Sequence, residues 1–543
     1  MNSHFDYRLI PLLLSLLPLS HSLIFTLNTS LPIHTQSSEH PYICTTLDWW
    51  PINKCDSEDG QSNCAWIEAS ALTAPITEQR LQNALWALGD ITLRIGGTLA
   101  DTVTYDIKGD IEKRCPEFSP EPPQKSKLFT GGCLTASRWR DLQDFCSIDS
   151  GCEMIFDLNG MVGRVCENVE PGRAPCFYPE ATCTSDWDSS NAETLIRFTA
   201  EAGYPISAYE LGNELTCLSP TQYAQSIWEL HDILQRVYSS VNQSTRVPDI
   251  VATDAVNGDT AFLQEFLPLV SDVLYAYSWH DYPLGPGVYC SGSDGKNNTS
   301  VDEIIMDPQG LDGFTSDAAS ISEVLLNGGG DVRAYMGETG GAYDSGCNGS
   351  TNAFMSGFWY LNSLGSFAVN GHDMFCRQTL TGGNYELVNK LTQIPNPDFY
   401  SALLFSRLMG RGVLAAKTSG VGHENVRIYA HCAKQPESGV AVLYLNFGNH
   451  PVSVEGVRVL GLDALYSGER LEYILTGVQS ARSADPLHSD VVALNGNILR
   501  PQEPSGKMPP LLPRSNNADE PLILPAFSYG FVVYPNMPAE GCE

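Results

Sequence analysis

Apolar and polar residues alternate in two different rhythms along this chain, and the change of rhythm divides it. As far as about residue 411, short runs rich in β-branched and aromatic residues take turns with longer stretches whose apolar positions recur every three or four residues. The short runs predict strands over 43–49, 91–96, 154–158, 207–211, 250–253, 273–279, 333–337 and 373–377. The longer stretches predict helices over 78–88, 192–202, 219–241, 260–270, 351–364 and 398–409. In the third of these, Ser219 is a capping residue with Pro220 in the first turn, and Tyr223, Ile227, Trp228, Leu230, Leu234 and Tyr238 share one face. Eight strands alternating with helices over roughly 370 residues predict an α/β chain built as a closed parallel (β/α)8 TIM barrel. A doubly wound open sheet is the competing architecture.

Beyond about Gly412 the period changes to two. The stretches 426–431, 440–447, 452–460, 491–493 and 527–534 alternate apolar with polar residues between Gly, Asn, Pro and Ser, which predicts an appended antiparallel β-sandwich. The apolar run 23–27 lacks a barrel partner and fits the same sandwich. The expected organisation is a signal peptide at 1–22, a catalytic barrel at 41–411, and a sandwich domain from 23–40 plus 412–543. No fixed repeat period is present.

The leader expectation rests on an apolar run at 9–19 after a single Arg, followed by small residues at Ser20 and Ser22. No later run reaches the ~18 consecutive apolar residues of a membrane span, so no transmembrane anchor is expected. The chain holds 16 cysteines without a C-x-x-C pair or zinc-like spacing, which favours disulfides over a metal site. Sequons at Asn28, Asn242, Asn297, Asn298 and Asn348 suit the same oxidising route. The expected address is secreted, in the extracellular space or cell wall, or the lumen of a lytic vacuole or lysosome. A net charge of -32 excludes nucleic acid as a partner and opposes sulfated polyanions.

In a barrel of this kind chemistry sits where the strands end. The fourth strand runs into Tyr209-Glu210-Leu211-Gly212-Asn213-Glu214, and the seventh into Tyr335-Met336-Gly337-Glu338-Thr339-Gly340. Carboxylates from these two strands can face each other across a substrate, the arrangement that glycosidic cleavage requires. A lone Gly-x-Glu is more often a solvated turn, so the pairing carries the argument. Nucleophile-elbow, phosphate-loop, dinucleotide and His-Glu-x-x-His motifs are all missing from the chain.

With Leu93-Arg94-Ile95-Gly96-Gly97-Thr98, Cys44-Thr45-Thr46-Leu47-Asp48-Trp49-Trp50-Pro51, and Arg377-Gln378 before Gly383-Asn384-Tyr385-Glu386, these motifs resemble the heparanase-like family of β-glucuronidases, above all its plant-type members. The likeness extends in order and spacing from about residue 23 to 534. It implies a retaining glycosidase without cofactor or metal, in which Glu214 is the acid/base and Glu338 the nucleophile. It implies that Asn213 binds the sugar 2-hydroxyl, that Tyr282 contacts the nucleophile and that His280 orients the pair. Asp48 and Thr98 would hold sugar hydroxyls, while the Gly383 N–H and the Tyr385 hydroxyl would grip the uronate carboxylate. Arg94 and Gln378 fit either orientation of the nucleophile or satisfied barrel packing. Animal members carry a Gly-rich stretch where Asp344-Ser345-Gly346-Cys347-Asn348 stands here, and 109–150 is expected to be a retained, disulfide-bearing loop.

The expected function is a β-glucuronidase acting on glycan ends or small glucuronides, its partner a carbohydrate bearing β-linked glucuronic acid. Endo-cleavage, another glycone on the same site, and a non-catalytic glycan-binding barrel remain the alternatives.

Overall fold

A computed structural model describes residues 22–51, 64–108, 131–147, 151–168, 176, 181–241, 246–287, 290, 299–328, 330–436 and 438–542. The leader expected at 1–22, except its last residue, the sequons at Asn242, Asn297 and Asn298, the cysteines Cys55 and Cys115, and much of 109–150 lie outside them.

Eight parallel strands close into a barrel, in chain order Ile43–Asp48, Ile91–Gly96, Cys152–Leu158, Ala208–Leu211, Asp249–Val256, Ala276–His280, Arg333–Thr339 and His372–Arg377. The third pairs with the fourth and the eighth with the first, so no edge is left open. Successive side chains on a strand point to opposite faces, and this sorts each strand cleanly. Leu47, Leu93, Phe156, Tyr209, Ala252, Tyr277, Met336 and Phe375 face outward into the core shared with the helices. Cys44, Ile155, Ala208, Val251, Ala276, Tyr335, Met374 and Cys376 form a separate apolar plug inside the barrel. Cys44 and Cys376 are joined there by a disulfide.

One inward step further along, the same strands carry Thr46, Asp157, Glu210, Ser278, Gly337 and Gln378. The barrel interior therefore changes from apolar to ionic toward the carboxyl ends of its strands.

The second domain is a twelve-stranded, mostly antiparallel sheet folded over on itself. The long strand Met409–Gly420 makes the fold: it pairs with Val426–Ala433 near its start and with Ser22–Asn28 along its second half. Leu23, Phe25, Leu27, Leu414, Val442, Tyr444, Val454 and Val532 pack between the two layers. Ser22–Asn28 also pairs with Val452–Val459, and that pair is parallel, a departure from the purely antiparallel sandwich expected. The opposite face, with Leu443, Leu445, Tyr529 and Phe531, joins the barrel's main core.

The helix Ser356–Val369 lies between barrel and sheet and is buried nearly all round, so it lacks a polar face. Gly357 and Gly365 permit this, since a Cβ on either would stand 2.2 Å from the ring or hydroxyl of Tyr529 or Tyr429. Its expected start at 351 is shifted because the N–H groups of Phe354 and Met355 donate to Ser489 and Leu487 carbonyls in the sheet domain. Three further helices among the described residues, Ala136–Phe145, Val301–Ile305 and Leu311–Asn327, escaped the apolar pattern, the last because Gly313 and its serines blur the stripe. Among the described residues no helix is long and apolar enough to cross a membrane.

Candidate active site

Glu214 and Glu338 reach the mouth of the barrel by different local routes. Past Leu211 the fourth strand turns through Gly212 at φ 76° and Glu214 at φ 56°. Gly212 is required twice, by that left-handed backbone and by Leu215, whose Cδ1 would lie 2.3 Å from any Cβ there. Glu338 sits inside the seventh strand. Gly337 before it has no room for a side chain, because a Cβ would stand 2.0 Å from Ser278 Oγ. A carboxylate oxygen of each Glu and a ring nitrogen of His280 all lie within 4.8 Å of one another. The Glu214 side chain is 19% exposed and that of Glu338 9%.

Beneath the pair, fully buried Arg94 uses its whole guanidinium fork. Nε donates to Glu210 at 2.6 Å, Nη1 to Glu338 Oε2 at 2.9 Å, and Nη2 to Asp254 at 2.5 Å and Asn213 Oδ1 at 3.1 Å. Burial works against this charge, but Asp254, Glu210, Glu338 and Asp157 outweigh it and hold the guanidinium's pKa up. Asp254 also accepts from Ser278 Oγ and stands 3.2 Å from His280 Nε2. Burial would raise the Asp254 pKa, yet Arg94 and His280 together hold it well below the usual carboxylate range. His280 is bracketed by Asp254 and by Glu214 Oε1, 2.9 Å from its Nδ1. Burial opposes its charge, and Asp254 and Glu338 overcome it, lifting the imidazole to about 10.

The remaining carboxyls behave differently. Burial pushes Glu210 up to about 7 against the pull of Arg94, and it drives Asp157 well above its ordinary value. Asp157, Glu210 and Asp254 converge closely enough to hold a cation, and Arg94 is the cation they already surround.

The expected site residues fall into three groups. Asn213, His280 and Tyr282 join the carboxylate pair: the Tyr282 hydroxyl donates to Glu338 Oε1 at 2.5 Å. Asp48 and Gln378 form an adjacent corner, with Gln378 Nε2 donating to Asp48 Oδ2 at 2.8 Å and the Thr46 hydroxyl donating to Gln378 Oε1. Gly97, at φ 93°, leaves the space that the Asp48 carboxylate fills. Thr98 is half-buried nearby and makes no hydrogen bond to these groups among the described residues.

Gly383 and Tyr385 form the third group, in the loop after the eighth strand. The Gly383 N–H, expected to hold a sugar carboxylate, donates instead to the Ala65 carbonyl at 2.9 Å. It is drawn there because the loop after the eighth strand folds onto the loop after the first. Trp66 Nε1 donates to Ser345 Oγ at 2.8 Å, and the Asn384 N–H donates to the Ser345 carbonyl at 2.6 Å. Tyr385 is 3% exposed, packed with Trp66 and Tyr282.

Four buried acids, Asp101, Asp157, Glu210 and Asp254, are absent from the expectations drawn from sequence. Glu210 lies inside the very hexapeptide that ends in Glu214, four residues earlier. Its alternation with Ala208 on an inward-facing register was the available signal.

The pattern "Glycosyl hydrolase family 79, N-terminal domain" matches residues 24–365. The chain is 34% identical over 533 residues to "Heparanase-like protein 3" of Arabidopsis thaliana, covering 93% of this chain and 92% of that one. It is 34% identical over 507 residues to "Baicalin-beta-D-glucuronidase" of Scutellaria baicalensis, covering 92% and 90%. The fold is similar to that of a 4-O-α-L-rhamnosyl-β-D-glucuronidase from Fusarium oxysporum, with TM-score 0.58, 14% identity and coverage of 94% and 99%.

Proposed function

The chain belongs to glycosyl hydrolase family 79, and on that premise we propose that it is a retaining β-glucuronidase acting on glycan ends or small glucuronides. The observation that carries this reading is that one carboxylate oxygen of Glu214 lies within 4.8 Å of one of Glu338 on facing strands, a spacing compatible with retention. Retention by a covalent intermediate needs carboxyls ~5–5.5 Å apart, whereas inversion needs ~6.5–9.5 Å to admit a water. The relative named a baicalin glucuronidase supports the glycone.

In this reading Glu338 attacks the anomeric carbon while Glu214 passes its proton to the departing glycosidic oxygen, and that C–O bond breaks. The glycosyl ester on Glu338 is then opened by water, whose proton returns to Glu214. Tyr282 and Arg94 donate to separate oxygens of Glu338 and fix its plane for attack. His280 donates to Glu214 Oε1, so the transferable proton rides on Oε2. Asn213 has its Oδ1 taken by Arg94, which leaves Nδ2 as the group for a sugar 2-hydroxyl. Asp48, Thr98, Gln378 and Tyr385 serve the other sugar groups, and Gly383 does so only when its bond to Ala65 opens.

The charge of -32 favours small or weakly charged glucuronides over sulfated polymers. Six disulfides among the described residues support a secreted or lumenal address. Of the two described sequons, Asn348 is exposed, whereas Asn28 is half-buried in a strand. Asn348 is the better placed for a glycan.

Aryl β-glucuronide, β-glucoside and β-xyloside should be offered side by side to wild type and Glu338→Gln. Wild type is expected to hydrolyse the glucuronide, and the variant to lose at least about a thousandfold in kcat. Preference for another glycone would overturn the specificity, and full activity in Glu338→Gln the mechanism.

A further inference from the structure

Glu214 has a backbone conformation that its own residue type does not favour. A φ of 56° is left-handed, and a side chain beyond Cβ occupies it only where the surroundings hold it. The residue just before it, Asn213, is held through both its side chain and its backbone N–H. The Asn213 side chain accepts from Arg94 Nη2 at 3.1 Å, and its N–H donates to Asp101 Oδ2 at 2.8 Å.

Asp101 comes from the short turn Ala100–Thr102 that follows the second barrel strand, and is 7% exposed. Its other oxygen, Oδ1, accepts the N–H of Gly160 at 2.8 Å, in the loop after the third strand. One carboxylate therefore joins the loops after three successive strands, and the third of these loops carries Glu214. Gly212, the other left-handed residue of that turn, lies close enough that a Cβ would stand 3.0 Å from Asp101 Oδ1. No described bond links Asp101 directly to Glu214, Glu338 or Tyr282.

We propose that Asp101 is a positioning residue for the acid/base: by holding the Asn213 N–H it keeps Glu214 in its left-handed backbone, with the carboxyl against His280 and facing Glu338. This rests on the double-displacement reading above. Without that acceptor two buried N–H groups lose their partner, and the 212–214 turn relaxes toward ordinary φ values. The Glu214 carboxyl then leaves the line to the departing oxygen, although Glu338, Tyr282 and Arg94 keep their places.

The consequence is selective, because only leaving groups that need a proton depend on Glu214. Asp101→Asn is close in shape but turns an N–H of its amide against one of the two backbone donors. Asp101→Glu keeps the carboxyl and both acceptor oxygens, and its extra methylene displaces them. Both are compared with wild type on phenyl and 2,4-dinitrophenyl glycosides, with and without azide, alongside melting temperature.

For Asp101→Asn the expected result is a fall in kcat/KM of about 100-fold or more on the phenyl substrate and under about tenfold on the dinitrophenyl one. Azide, which needs no base, should speed the variant's turnover of the dinitrophenyl substrate and leave wild type unchanged. Asp101→Glu should show the same signature at smaller size. An equal fall on both substrates, no fall, or loss of folding in both variants would overturn the assignment. The series uses the glycone that wild type hydrolyses, so a wrong glycone shows in wild type alone. A wild type that cleaves no aryl glycoside would overturn both readings.

Discussion

The Tyr282 hydroxyl donates to Glu338 Oε1 at 2.5 Å, on the oxygen that Arg94 does not use. Burial, and then the neighbouring Glu338, raise the Tyr282 pKa well above its ordinary value, so the phenol stays a donor throughout the working range. A hydrogen bond to a charged group is worth about 1.5–3 kcal/mol. Tyr282→Phe is therefore expected to lower kcat about 10- to 100-fold on an aryl glucuronide with little change in melting temperature. Unchanged kcat would remove Tyr282 from the account.

Asp254 is the anion shared by Arg94 and His280, of which Arg94 touches Glu338 and His280 touches Glu214. Asp254→Asn removes it and leaves both cations buried with less compensation, a loss of about 3–5 kcal/mol. It also removes the first of the influences that lift His280 to about 10. Proton NMR of the imidazole should show its titration moving down, and denaturant unfolding should show the loss of stability. A His280 titration unmoved by the change would contradict the network.

At the other end of the barrel His40 lies between Glu153 Oε2 at 2.7 Å and Asp249 Oδ2 at 3.0 Å. Burial opposes its charge, and the two carboxylates overcome it, raising the imidazole from 6.5 to about 9. Because the folded value is the higher one, its stabilisation is complete below 6.5 and is lost as pH rises through about 9. Between pH 7 and 9 wild type should lose stability relative to His40→Gln by about 2 kcal/mol. Parallel stability curves for the two proteins over that range would refute the assignment.

With a net charge of -32 the protein should pass through a heparin column without retention even at low ionic strength. Any hydrolysis of a sulfated polymer should rise with added salt as repulsion is screened, while turnover of a small glucuronide should not. Retention on heparin would contradict the preference for weakly charged substrates.

The barrel and the sheet domain can be read from the periods of the sequence because their strands are long enough to show which period they follow. Ile91–Gly96 and Thr260–Val270 coincide with the expected elements. Ser356–Val369 does not, since a helix buried on every side has no stripe and its first turn is displaced by bonds to a distant loop. At the site, Glu214, Glu338, Asn213, His280 and Tyr282 could be named because their motifs are local. Asp101, Asp157, Glu210 and Asp254 could not, because an acid in a strand or loop looks solvated until the barrel closes around Arg94. The bond of the Gly383 N–H could not be foreseen for a similar reason: its acceptor, Ala65, is 318 residues away in sequence.

The most direct test of the account is the anomer released first. Hydrolysis of an aryl β-glucuronide should be followed by proton NMR from the first turnovers, before mutarotation mixes the products. The β-anomer of glucuronic acid is expected to appear first, as double displacement through Glu338 requires. First release of the α-anomer would contradict double displacement through Glu338.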